Sequence, residues 1–221
     1  MRHKTLFTIG TIAAATMFFA GCQTHTSTKV LTRTSNMALW EGNYQDAAQG
    51  YQELTDRQPG NWLWQYRLGV SELSLEKITK ARRSLEIANT LRPHDREIIE
   101  ALAEAMFRQG DKDHLVTMLQ EEAKATQSVD MYMLLGDYLM EMGDPDSAST
   151  AYSTAIVLDD GRNIGPYLKA SSFAEQLGDR EMAVRRLRQA YGIEPGNEEV
   201  CNRLTALGEI PGPSQSLPPG R

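Results

Sequence analysis

The chain has 221 residues, with 23 Lys and Arg against 29 Asp and Glu and a formal net charge of −6. A mildly acidic protein is poorly suited to binding nucleic acid through its phosphates. The length allows one globular domain or one repeat array, and the order of elements along the chain decides between them.

The first residues, MRHKTL, place Arg2 and Lys4 ahead of a run from Leu6 to Ala20 that carries no charge. A basic start, an apolar middle and small residues at the end are the order of a secretory signal peptide, here residues 1–21. As a helix the 15 apolar residues would reach about 22 Å, short of a hydrocarbon core of about 30 Å. Phe19-Ala20-Gly21-Cys22 resembles the lipobox of bacterial lipoproteins. The resemblance implies cleavage before Cys22, a diacylglyceryl group on its sulfur and acylation, such as palmitate, of the new amino end. No other cofactor is expected. The alternative is an ordinary signal peptide with an accidental cysteine. Cleavage removes Arg2 and Lys4 and moves the net charge from −6 to −8. With Cys22 lipidated, Cys201 is the one thiol left, and it reads as a small buried residue. Residues 22–27 then form a short linker reaching roughly 17 Å.

Pro59 and Pro93 lie 34 residues apart, and the segments that lead to them match. Within 62–95, Leu68-Gly69, Ala81, Leu85, Ala88 and Pro93 fall at the spacing of two close-packed helices ended by a proline. The same grid divides the chain into 28–61, 62–95, 96–128, 129–163 and 164–197, with glycine turns at Gly42, Gly110, Gly143 and Gly178. In 96–128, Leu115 and Glu122 occupy positions that are small elsewhere, so an irregular second helix is expected there. The first helix of 28–61 is polar and weak. Residues 198–208 read as a capping helix with Val200, Cys201, Leu204 and Leu207 inward, and 209–221, rich in Pro, Gly and Ser, as an extended or disordered tail rather than a polyproline ligand.

A period of 34 with two helices per unit resembles the tetratricopeptide repeat. It implies an all-α fold, a right-handed α-solenoid of about five helix hairpins with a C-terminal capping helix. It also implies that first helices line a groove, carried onto this chain as Arg33, Asn36, Leu39 and Trp40; Leu63, Tyr66, Arg67, Val70 and Leu73; Glu100, Glu104, Phe107 and Arg108; Asp130, Met133, Leu134, Asp137 and Met140; and Leu168, Lys169, Ser172, Glu175 and Gln176. Trp40, Tyr66, Phe107, Met133 and Met140 suit an adaptable surface for a peptide or helix; the alternative is that they pack between repeats. The Lys-Asn clamp that some of these domains use for chaperone tails is incomplete here. The acidic groups suggest a mixed or somewhat basic ligand.

A catalytic reading finds no HExxH, CxxC, GxSxG or Walker loop, so the chain is read as noncatalytic and without a metal site. Asp111-Lys112-Asp113-His114, Asp144-Pro145-Asp146 and Asp159-Asp160 read as helix-capping acids, and His94 and His114 as solvated. Arg82 and Arg83, with Arg185, Arg186 and Arg188, read as a solvated face supported by pairs such as Arg82 with Glu86. The expected function is a membrane-anchored scaffold that binds proteins in the bacterial envelope, in assembly of a machine such as a pilus or secretion system. In layout the chain is similar to type IV pilus pilotin lipoproteins and to tight-adherence pilus assembly lipoproteins. An adaptor that presents cell-wall hydrolases or proteases is the second reading. Gln23 after the cysteine fits the outer membrane, facing the periplasm; a homo-oligomer stays open.

Overall fold

The structure, a computed structural model, describes residues 26–220. The lipobox and Cys22 lie outside the described residues. Among these, eleven α-helices follow one another: α1 (Thr28–Trp40), α2 (Tyr44–Arg57), α3 (Trp62–Ser74), α4 (Ile78–Leu91), α5 (Arg96–Gln109), α6 (Lys112–Thr126), α7 (Val129–Glu141), α8 (Pro145–Asp159), α9 (Gly165–Gln176), α10 (Arg180–Ile193) and α11 (Glu198–Ala206). They pair as α1/α2 through α9/α10, each hairpin packing on the next, with α11 on α10.

Local chemistry sets the starts and turns. Asn43, Asn61, Asp95, Ser128, Asp144, Asp179 and Asn197 each cap a helix by accepting from a backbone N–H two or three residues on, a contact worth about 1 kcal/mol. The hairpin turns at Gly42, Gly110, Gly143 and Gly178 all take positive φ, between 73° and 83°, which glycine adopts without a Cβ clash. In the second hairpin the same place is held by Glu76 at φ 57°.

Close approach inside a hairpin follows from small residues. A Cβ on Gly69 would stand 2.5 Å from the Leu85 side chain, and one on Gly136 2.6 Å from the Tyr152 ring. The corresponding Ala47, Ala81, Ala148 and Ala183 are fully buried. In the third hairpin Leu115 fills that position, and α5 and α6 pack less closely than the other pairs.

One apolar core runs from Leu73 to Leu204, and a second, smaller one holds Ala47, Ala48, Tyr51, Leu54, Trp64 and Leu68. Between them lies a buried polar seam of Gln65, Ser71, Glu72 and Ser84. The Ser84 hydroxyl donates to Glu72 Oε2 at 2.9 Å. Burial nevertheless pushes the Glu72 carboxyl above its ordinary range, against the pull of Ser84, Lys80 and Lys77.

Four expectations change in the structure. Asp159 and Asp160 stand at the end of α8 and not at a helix start: Asp160 is its left-handed C-cap, and the buried Asp159 accepts from the Asn163 N–H at 2.8 Å. Arg186 is 7% exposed instead of solvated. Asp111 precedes α6 without capping it; its carboxylate meets the Arg82 guanidinium and the His114 ring, both at 2.6 Å, and these partners take the place of the helix N–H groups. Residues 209–220 do not trail away but cross α10, held by the Leu217 N–H on the Arg188 carbonyl and by the Arg188 and Gln189 side chains on tail carbonyls. Cys201 is half-buried, its Sγ 3.8 Å from the Pro195 carbonyl.

Candidate functional site

The first helices repeat a contact across their junctions. Counting from residues 28, 62, 96, 129, 164 and 198, the ninth position of one unit faces the sixth of the next. Arg67 Nη1 donates to Asn36 Oδ1 at 2.6 Å. Lys169 Nζ donates to both Asp137 carboxylate oxygens, at 2.7 and 2.9 Å. Arg203 Nη2 donates to Ser172 Oγ at 3.1 Å and to Glu175 Oε1 at 2.7 Å. The two middle junctions place Val70 with Ala101 and Glu104 with Leu134 at these positions. Glu104 instead accepts from the Tyr138 hydroxyl at 3.3 Å.

In the first and fourth units the acceptor is also held from the second helix. The Tyr51 hydroxyl donates to Asn36 at 2.7 Å and the Tyr152 hydroxyl to Asp137 at 2.8 Å. Both tyrosines are buried, and burial pushes both phenols above their ordinary value; the Asp137 hydrogen bond adds to that for Tyr152, whereas Arg67 opposes it for Tyr51. Asn36, Arg67, Asp137 and Lys169, expected as groove residues, are thus the rungs that hold neighbouring repeats in register.

Arg108 also does structural work. Its guanidinium donates to the Leu73 carbonyl at 3.3 Å and pairs with Glu76, which fixes the turn that lacks glycine. Phe107 stacks on Tyr138 at 5.3 Å, tilted. Tyr66, Phe107, Leu134, Met140 and Leu168 are half-buried against the core, so they pack between repeats while keeping an exposed edge. Val70 and Met133 are half-buried as well, and Arg33 is exposed. Trp40 is 88% exposed.

The acidic character of this face is partly cancelled. Arg96 pairs with Glu100 at 2.6 Å and also with Asp130. What remains is felt at Tyr66, whose phenol is raised first by burial and then by Glu97, Asp95 and Glu100. Between α7 and α9 a cleft of about 280 Å³ opens, with Asp137, Met140, Lys169, Ser172 and Gln176 at its walls and the buried Tyr152 and Phe173 beneath. It offers one cation, the two carboxylates of Asp137 and Glu141, and a thioether within a single span.

Register also shows what the first unit lacks. The third, seventh and tenth positions are buried against the preceding unit in the second to fifth repeats, as Trp64, Leu68 and Ser71 or Met131, Leu135 and Tyr138. In the first unit they are Val30, Thr34 and Met37, and all three are exposed. Sequence reasoning passed over this end because Val30 and Met37 do not stand at groove positions. Among the described residues, no group of three or more His, Cys, Asp or Glu is placed to hold a metal ion, and no helix is long and apolar enough to cross a membrane.

Residues 38–96 and 129–160 match models of the tetratricopeptide repeat. The fold is a tetratricopeptide-repeat α-solenoid. Solved structures share it: a MamA protein at TM-score 0.57 and 24% identity, over 76% of this chain and 91% of that one; TTC0263, a thermophilic tetratricopeptide-repeat protein of Thermus thermophilus, at 0.54 and 14%, over 82% and 98%; and YrrB, described as having an unusual peptide-binding site, at 0.51 and 15%, over 79% and 90%. No curated protein matches the chain. Tetratricopeptide repeats mediate protein–protein interaction and are generally noncatalytic.

Proposed function

We propose that this protein is a noncatalytic scaffold of the bacterial envelope, anchored through lipid on Cys22 to the outer membrane and facing the periplasm. Its first-helix groove holds an extended or helical segment of another envelope protein during assembly of a multiprotein machine such as a pilus or secretion system. The observation that carries the binding role is the cleft between α7 and α9, where Met140 and Gln176 border the Lys169–Asp137 pair. Two charges already fixed by folding are presented beside a polarizable side chain, so a ligand meets an ordered polar surface with an adaptable apolar edge. Trp40 adds a large apolar group that the fold does not use. The peptide-binding site named for YrrB lies on the same fold and agrees with this use of it.

The lipobox supports the anchor. Two or more acyl chains convert marginal membrane binding into stable attachment. The test is crosslinking in native membranes, comparing the protein with a Trp40→Ala, Met140→Ala variant of equal helicity, with partners identified by mass spectrometry. Loss of one enriched partner in the variant is the expected result. Unchanged partners would remove the groove from the account, and co-purification of a cell-wall hydrolase would favour the adaptor reading. Palmitate labelling that persists in Cys22→Ser would refute the anchor.

A further inference from the structure

After α11, Gly208 turns the chain at φ 80°, and Arg180 holds the exit by donating to the Leu207 carbonyl and pairing with Glu209 at 3.3 Å. A short 3-10 turn, Pro213–Gln215, follows. The chain then crosses α10 against a row of donors. Arg188 Nε and Nη2 donate to the Gln215 and Ser214 carbonyls at 3.1 and 3.2 Å. Gln189 Nε2 donates to the Gly220 carbonyl at 3.0 Å, and Arg186 Nη1 to the same oxygen at 3.3 Å. The Leu217 N–H donates to the Arg188 carbonyl at 3.1 Å and the Gly220 N–H to the Tyr167 hydroxyl at 3.2 Å.

Two features mark this surface as shaped for the crossing. Gly192 lies inside α10, where the corresponding residues of the other second helices are Asp56, Thr90, Lys124 and Val157. Glycine there disfavours the helix, yet a Cβ would stand 2.2 Å from the Leu217 carbonyl oxygen. A Cβ on Gly161 would meet Pro219 at 2.6 Å. The second feature is Arg186, a buried guanidinium whose Nη1 bonds go to Gln189 and to the tail backbone. Burial, and then the neighbouring Arg185 cation, lower its pKa, as expected of a cation withdrawn from water.

We propose that the outer side of α10, with Tyr167, is a binding site for an extended proline-rich peptide, separate from the first-helix groove, and that the chain's own residues 214–220 fill it in cis. The chemistry selects the ligand class. Three donor side chains face the ligand backbone, so the segment must supply carbonyls. Ser214, Gln215, Gly220 and, at 3.5 Å, Pro218 supply them; Pro218 and Pro219 have no N–H to leave unpaired, and their restricted φ lowers the entropy lost on docking. Little apolar area holds the tail, because Pro218 and Pro219 are exposed and Leu217 is half-buried; release therefore hydrates Arg186 without opening the core. The short tether gives the tail an effective concentration on the order of mM, which a free ligand must outcompete.

The test uses the full chain with a protease site inserted between Pro211 and Gly212, folded and then cut. A fluorescently labelled peptide of residues 212–221 is titrated against the cut chain after its own tail has been washed away, and against the uncut chain. Saturable binding to the cut chain, at least tenfold weaker to the uncut one, is expected. Gly192→Ala, which favours the helix, should weaken binding at least tenfold with helicity intact, as should replacing Pro218 and Pro219 of the peptide by alanine. No binding to the cut chain, unchanged affinity in Gly192→Ala, or loss of helicity when the tail leaves would each overturn the proposal; the last would make the tail part of the fold.

Discussion

Replacing Asp137 by alanine removes a carboxylate that serves two partners, the buried Tyr152 hydroxyl at 2.8 Å and Lys169 at 2.7 Å. Leaving a buried hydroxyl without its acceptor costs about 1–3 kcal/mol. The Lys169 pair, with side chains 47% and 35% exposed, adds about 0.2–1 kcal/mol. The expected loss is therefore about 2 kcal/mol, read by urea unfolding and as faster amide exchange in α8 and α9. Tyr152→Phe removes the hydroxyl itself and should cost about 1 kcal/mol. On that background Asp137→Ala should cost only what the Lys169 pair is worth, because no hydroxyl is left stranded. Asp137→Asn keeps an acceptor and should stay close to wild type. If the losses in Asp137→Ala and Tyr152→Phe add within about 0.5 kcal/mol, the two groups are uncoupled and the structural role given to this rung is wrong.

Glu72→Gln tests the buried seam. The folded pKa of Glu72 is raised above its ordinary value, so its ionisation opposes folding as pH rises from the unfolded toward the folded pKa; the variant's gain in stability should be larger at pH 7 than at pH 4, measured by urea titration at both. Gly136→Ala forces a Cβ to 2.6 Å from the Tyr152 ring and should cost about 1–3 kcal/mol, visible as a lowered Tm. Trp40→Ala, at a side chain 88% exposed, should move stability by no more than about 0.5 kcal/mol; a larger loss would mean that Trp40 packs in the folded protein and does not serve as a free contact.

Helix, turn and period were legible because each depends on residues near one another in sequence. Gly42, Gly110, Gly143 and Gly178 announce positive φ, Ala81 and Gly69 announce close helices, and both signals recur at a fixed interval. Glu76 broke the pattern; its turn forms with the same φ sign and is fixed by Arg108 from the next unit, a contact 32 residues away that no local rule contains. The candidate groove was legible as a set of positions, since register alone assigns them. Which of them hold the stack together was not. Asn36 and Asp137 become rungs only because Arg67 and Lys169 stand opposite at the following repeat and a tyrosine rises from the second helix.

The sequence by itself therefore determined a repeating helical hairpin and, through Leu6 to Cys22, the expectation of an exported and lipidated chain. Only the tertiary structure decided the fate of the polar residues. Arg186 reads as solvent-facing by composition, yet it is buried under a tail whose proline content suggests disorder. Composition reports how much apolar area a segment can bury, and it says nothing of a row of donors waiting on another helix. Gly192 is the residue where both meet: a poor choice for α10 considered alone, and the choice that lets the Leu217 backbone lie against it.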